Sequence, residues 1–450
     1  MIIINIELFK KKILRIENSK EWTDFLNKSK IGERYYKNRN DIKNLPLKMR
    51  DDSPLRVADN RDSYNWHGLL LDQKSGYMFG HEPTIDVGDA DTNKEITKVL
   101  GDEWGKTLND LVIKAGNAGI TWLHYWEDEF QKFQYGIVPT GQIIPIYSDD
   151  LKHRLVGIAR KYISYDEDDK EINVYEFWDN KECYYFIKKG EQFEDYNIVG
   201  QNGKKETNHF KHKYGKVPFI YFNNNSIKEY DLYMNKDQID QFDKVINGFA
   251  NDIEDVQEII FVLKGYGGEE LQEFMEDLKD YKAVKTDDNG DVKTIKAEIP
   301  VEARDTLLES LKKLIFLFGM GINPDKESFG DSSGVALKFL YSLLELKASK
   351  TRIEFDCSIK VLIRAILDHL GKNTDQDISI TYYKNMVTND KEVVEILSKS
   401  GQTISEKTKT KNHPYTENLD EELKQIEVEK KESLDSDYDE SFGSGADEDE

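Results

Sequence analysis

The chain has 450 residues, 38% of them hydrophobic and 33% charged, with a net charge of −23. Such a length supports roughly two to four domains with real cores, while the acidic balance argues against a protein that grips nucleic acid through a basic face, because Lys and Arg neutralising phosphates dominate that affinity. Cys183 and Cys357 are the two cysteines and neither sits in a CxxC or Cys/His cluster, so no disulfide scaffold and no structural metal are expected. No apolar run reaches the roughly 20 residues of a membrane-spanning helix. Met1 to Ile4 precede Lys10-Lys11-Lys12, the reverse of the order in a secretory signal, so residence in the cytoplasm is expected.

Residues 5–40 read as helical and rich in charge. From about 64 to 222 the chain carries short aromatic and β-branched runs, 119–126, 135–139, 155–159, 174–178 and 184–187, which predict strands of a mixed α/β region interrupted by a helix from Glu95 to Gly116. Beyond Asn225 long helices take over. Ile239, Phe242, Ile246, Phe249, Ile253, Val256 and Ile260 step by threes and fours, which predicts a packing seam on one helix over 236–263, a rod of about 42 Å. The same stretch bears Asp237, Asp240, Asp243, Glu254 and Glu258, an acidic face against few lysines.

A short amphipathic helix and a hairpin follow, with 283–286 and 292–295 flanking the turn at Asn289-Gly290. Pro300 opens a helix whose apolar face runs from Leu307 to Phe318. Residues 319–334 hold four glycines and a proline and predict a loop. Val335 to Leu370 contain no Gly or Pro, which predicts one unbroken helix with its first half buried on several sides. Residues 372–430 read as a strand near 378–382 and two short helices. The last twenty residues carry nine acids against Lys431 alone, a composition that stays solvated and disordered.

No motif for chemistry survives inspection. Asp89, Asp91 and Asn93 begin like a calcium loop, but Lys94 stands where glycine is needed and Leu100 where a bidentate Glu is needed. Residues 200–205 lack the spacing of a phosphate loop, and His209 and His212 lie in a lysine-rich stretch without HExxH. Nothing nominates a catalytic residue, a metal or a cofactor.

Several blocks do resemble a known family. Lys216-Val217-Pro218-Phe219-Ile220-Tyr221-Phe222, Asp240 to Lys244, Ala250 to Asp255, Val262 to Tyr266, Ser333 to Phe339, and Ile404 to Thr408 with Pro414 and Glu421-Glu422-Leu423 are similar to the portal proteins of long-tailed bacteriophages of Gram-positive hosts, in the family's order. Tyr77 to Pro83 resembles a segment common there too. The resemblance implies an α+β ring-forming portal fold: an N-terminal α/β wing (1–235), stem helices (236–263 and 301–318), a small α/β clip (264–300), a tunnel loop (319–333), a long wing helix (334–371), a helical crown (372–430) and the acidic tail (431–450). It further implies a homo-oligomer of about twelve subunits at the capsid vertex of the virion. Double-stranded DNA would pass through the channel, and the terminase large subunit, major capsid and scaffolding proteins and a head-tail connector or adaptor protein would be partners. Asn323, Asp325, Lys326, Glu327, Ser328 and Phe329 would then lie nearest the DNA, and the acidic stem face would keep the duplex off the wall. A nucleic-acid-processing enzyme and a helical scaffold or adaptor without a channel are the alternatives.

Overall fold

The computed structural model describes residues 6–46, 58–166, 168–199, 205–256, 260–264, 291–295, 300–324, 339–385, 390–401, 403–416, 419 and 421–431. They fall into a larger unit, 1–323 with 343–385, and a smaller one, 324–342 with 386–450. The larger unit begins with α1 (Ile6–Glu17) and α2 (Lys20–Tyr36). The two part at Ser19, whose hydroxyl accepts the Trp22 amide at 3.1 Å and caps α2. Next comes α3 (Trp66–Phe79), which the sequence did not announce because it is buried on most sides and so lacks an amphipathic stripe.

β1 (Thr84–Asp86) precedes α4 (Ala90–Leu100) and α5 (Trp104–Ala118). The single helix expected over 95–116 is therefore two, separated at Gly101 with φ 70°. Asp89, the first residue of the calcium-like triplet, caps α4 by accepting the Thr92 amide at 3.0 Å. α5 stops at Gly119, φ 85°, where a Cβ would lie 2.1 Å from the Lys228 carbonyl oxygen, so only glycine fits.

Among the described residues eleven antiparallel-pairing runs separate α5 from the second helical region where five were expected, the longest matching the aromatic runs in the sequence. They are β2 (Ile120–Glu127), β3 (Phe133–Val138), β4 (Ile143–Tyr147), β5 (Leu155–Tyr165), β6 (Glu171–Trp178), β7 (Glu182–Lys189), β8 (Gln192–Asp195), β9 (Ile198–Val199), β10 (Lys205–Thr207), β11 (His209–Lys211) and β12 (Phe219–Asn223). β12, β2 and β3 make one sheet, with Trp122 opposite both Tyr221 and Val138. β11, β7, β6, β5 and β4 make a second, with β8 also on β7. Trp122, Ile143, Ile158, Trp178 and Phe219 join the sheets in one apolar cluster, and α1 covers the other with Phe9 and Ile13 on Ile144, Tyr175, Phe177 and Phe186.

The second helical region holds α6 (Lys236–Val256), β13 (Ile260–Lys264), β14 (Asp291–Ile295), α7 (Val301–Gly319), α8 (Ser342–His369) and β15 (Ser379–Thr381). Four expectations need correction. The helix expected to reach 263 stops at Val256, and Ile260 belongs to β13, which pairs with β14 from Ile260↔Ile295 to Lys264↔Asp291. The apolar run there satisfies helix spacing by coincidence, and cross-strand pairing decides its conformation; the hairpin partner expected at 283–286 lies outside the described residues. The helix expected from 335 is interrupted by a turn at Tyr341 that no Gly or Pro marks. The earlier half of α8 buries only one side, with Leu344, Ala348 and Thr351 inaccessible and Leu346 51% exposed, whereas the later half buries more, with Phe355, Ile359, Leu362, Ile363, Ile366 and Leu367 inaccessible and Phe355 packed on Phe222 and Phe79. Finally β15 pairs with β1, Thr84↔Thr381 to Asp86↔Ser379, so the span expected as one helical region over 372–430 divides, 372–385 falling in the larger unit and 386–430 in the smaller.

In the smaller unit α9 (Asp390–Lys399) and α10 (Glu406–Lys411, capped by Ser405) are joined by a third helical stretch at 421–431 where two were expected. The tail beyond 431 lies outside the described residues.

Candidate channel and ring surfaces

α6 has three distinct faces. Ile239 and Phe242 are buried with Leu311, Ile315 and Phe316 of α7, and Ile246 packs on the same cluster together with Trp66 and Tyr35. Phe249 lies under the Arg304 guanidinium, 5.4 Å from its ring centre, while Arg304 pairs with Asp252. Ile253 is 44% exposed, and the Val256 side chain lies outside the described residues. The seam read from sequence is thus an intramolecular α6–α7 contact over its first half.

Rotated about 100° from the seam, one residue on along the helix, runs a ladder of short polar side chains that seizes the extended segment 58–64. Asp243 Oδ1 accepts the Tyr64 amide at 3.2 Å, Asn247 Oδ1 that of Asp62 at 2.7 Å, Asn251 Oδ1 that of Asn60 at 2.7 Å and Asp255 Oδ1 that of Ala58 at 2.9 Å. Four residues of helix advance about 6 Å and two of strand about 6.6 Å, so every fourth side chain meets every second amide. Asn247 also donates to the Asp62 carbonyl at 2.7 Å, and Glu254 receives the Asn60 side chain at 2.9 Å.

This ladder corrects the acidic face. Asp243 is fully buried inside its own chain and holds the Asn40 amide group at 2.6 Å as well, so it lines no channel. Burial lifts its carboxyl to about 6 against the lowering effect of those hydrogen bonds. Asp240 is engaged by Tyr35 and by Lys236 at 2.6 Å, and Lys236 reaches Asp41 at 2.6 Å too. Asp237 lies on the third, exposed face with Gln241 and Lys244, and Glu258 is outside the described residues.

Where α3, α7 and α8 meet, three charges are buried. Asp231 receives Lys74 at 3.1 Å and Lys347 at 3.3 Å, and the Asn224 amide at 2.7 Å. Burial alone would raise the Asp231 carboxyl, but the Lys347 and Lys74 ammonium groups outweigh it and hold it far below the usual range. Burial lowers Lys74 to about 8. Lys347 also donates to the Gly319 carbonyl, at the end of α7, at 3.0 Å. Sequence gave no sign of this node, since its residues are scattered and each lysine reads as a surface residue.

The segment leaving α7 is held at Ile322 and passes Asn323, which is half-buried and has contacts of its own. Asp325, Lys326, Glu327, Ser328 and Phe329 lie outside the described residues.

In a cleft of about 810 Å³ in the larger unit, His124, pushed by burial to about 4, lies 4.2 Å from Phe219 and donates from Nδ1 to the Pro218 carbonyl at 2.8 Å. His209 and His212 part company, His209 on β11 and His212 on this cleft's wall. Among the described residues no group of acids, His and Cys is placed to hold a metal, and no helix is long and apolar enough to cross a membrane.

The family model for phage portal proteins of the SPP1 Gp6-like type matches residues 19–435. The chain belongs to that family. The portal protein of Clostridium phage phiCD119 is 40% identical over 418 residues, 88% of this chain and 91% of its own length. The portal protein of Bacillus phage SPP1 is 29% identical over 416 residues, 88% and 82%. Among solved structures, the neck of a native GTA particle computed with C12 symmetry superposes with a TM-score of 0.45 at 9% identity, over 76% of this chain and 88% of that one. Portal proteins are structural components of the virion, a family of channel and docking proteins rather than of enzymes.

Proposed function

We propose that copies of this chain, twelve in number, close into a ring at the capsid vertex through which double-stranded DNA is packaged and ejected. The observation that carries this reading is the apolar row left uncovered on α7: Leu307, Leu314, Leu317 and Phe318 face outward on a helix whose other side is packed on α6. A contiguous apolar face is costly on a monomer, and a head-to-tail interface that closes covers it in every copy at once. Residues 319–333 form the tunnel loop, with Asn323, Asp325, Lys326, Glu327, Ser328 and Phe329 nearest the duplex, and Asp237 with Glu258 remains for an acidic channel wall. The terminase large subunit docks during packaging, the head-tail connector follows, and capsid and scaffolding proteins surround the ring after assembly in the host cytoplasm. None of this needs a covalent step.

Light scattering with negative-stain microscopy tests it. The wild-type chain forms rings with a central hole. Leu307→Glu with Leu314→Glu yields monomers of unchanged circular dichroism. A monodisperse wild-type monomer at micromolar concentration overturns the reading.

A further inference from the structure

The chain leaves the larger unit at 323 and returns at 343, and both crossings are fastened within that unit. On the outgoing side α3 supplies the grip. Gln73 Nε2 donates to the Ile322 carbonyl at 2.8 Å and Gln73 Oε1 accepts the Ile322 amide at 2.9 Å, so one side-chain amide satisfies both backbone groups of one residue. Such a pair fixes the orientation of the peptide as well as its position. Leu70, one turn earlier on α3, closes over the same segment: a Cβ on Gly321 would lie 2.2 Å from Leu70 Cδ2, so glycine lets the backbone come down onto the helix.

On the return side, Lys347 sits one turn after re-entry and crosses back to the Gly319 carbonyl at 3.0 Å. Its ammonium is kept there by Asp231, which Asn224 and Lys74 in turn orient. A buried cation held by a fixed carboxylate has little freedom to leave. The outgoing end of α7 and the incoming end of α8 are thus tied to each other, and the point from which the intervening residues spring is set by α3.

We infer that Gln73 and Lys347 are positioning residues for the channel: they fix the root from which the tunnel loop reaches the DNA, and a loop with a displaced root meets the duplex in the wrong place although the ring is intact. This rests on the tunnel-loop reading of 319–333 given above, and the two fail separately in the experiment that follows.

Gln73→Met keeps the bulk and removes both hydrogen bonds; Lys347→Met removes the tie to Gly319, and Lys347→Arg keeps charge and donors. Amide hydrogen exchange on assembled rings reads the clamp itself: exchange at Ile322 should quicken about tenfold in Gln73→Met, the effect of losing about one hydrogen bond. The yield of DNA-filled particles, when each variant complements a portal-deficient phage, reads the function. It should fall at least severalfold in Gln73→Met and Lys347→Met, with rings of normal mass, and recover in Lys347→Arg. Unchanged protection at Ile322 overturns the clamp. Lost protection with normal yield overturns the positioning role. Replacement of 325–329 by Gly-Ser is the separate control, since normal packaging there sinks the tunnel-loop reading while leaving the clamp to stand on its exchange data.

Discussion

α6 and α8 are the two longest helices described in the larger unit, and their buried polar contacts differ in kind. α6 is held along its length by a row of small, similar contacts, four acceptors each meeting one amide of the 58–64 segment. α8 buries mostly apolar side chains and carries a fully buried group of charges, Lys347 with Asp231 and Lys74. A row of equal rungs fails by degrees, because each hydrogen bond contributes little net stability. A buried group of charges fails all at once, because removing one partner strands the others without water. The first arrangement holds a long helix along its length, and the second fixes one point of the fold.

The largest expected effect is at the node. Asp231→Ala leaves two ammonium groups buried with no carboxylate between them and should cost about 3–5 kcal/mol of stability, measured as a fall in the urea midpoint at fixed protein concentration. Adding Lys74→Met should make the double variant milder than the single one, since it removes one of the stranded charges. Additive losses in the double variant would show that the three charges do not act together, and the contrast with α6 would collapse.

A rung of the ladder should cost less. Asn247 is buried, and its amide meets both the N–H and the carbonyl of Asp62 at 2.7 Å. Asn247→Ala should therefore lose about 1–3 kcal/mol and raise hydrogen exchange at Asp62 more than at Ala58, two rungs away. Equal deprotection of all four amides would mean that the segment peels as one piece and that the rungs are not independent.

How far the sequence foretold this division follows from what each part needs. Period alone finds α6 and α7, because both bury one stripe, and β-branched and aromatic runs find β2, β3, β5, β6 and β7. α3 escapes since a helix buried all round has no stripe, and the turn at Tyr341 escapes since no Gly or Pro marks it. The acids of α6 read as a solvent face because charge counts do not say what a carboxylate touches. A signal was present nonetheless: Asp243, Asn247, Asn251 and Asp255 stand four apart, all short side chains with an acceptor at the same reach, unlike the longer Glu and Lys that decorate exposed helices. Lys74, Asp231 and Lys347 are more than a hundred residues apart in pairs, and only the fold brings them together.

The smallest effect is also the one that tests the ladder's chemistry most directly. Buried Asp243 holds its proton up to about pH 6 in the folded chain, whereas an exposed aspartate releases it near about 3.9. The folded state therefore binds more protons than the unfolded one across that interval, and this group's contribution to stability must fall as pH rises from about 4 to about 6, then stay level. Asp243→Asn removes the titration. Its carbonyl can still take the Tyr64 amide, and its new amide can face Asn40 Oδ1, which has no hydrogen-bond partner in the described structure, once the Asn40 side chain turns over. The stability of Asp243→Asn relative to wild type should accordingly improve by about 1–2 kcal/mol between pH 4 and pH 7, read from urea midpoints at the two values. A difference independent of pH would mean that Asp243 ionises like a surface carboxylate and that the first rung of the ladder is wet.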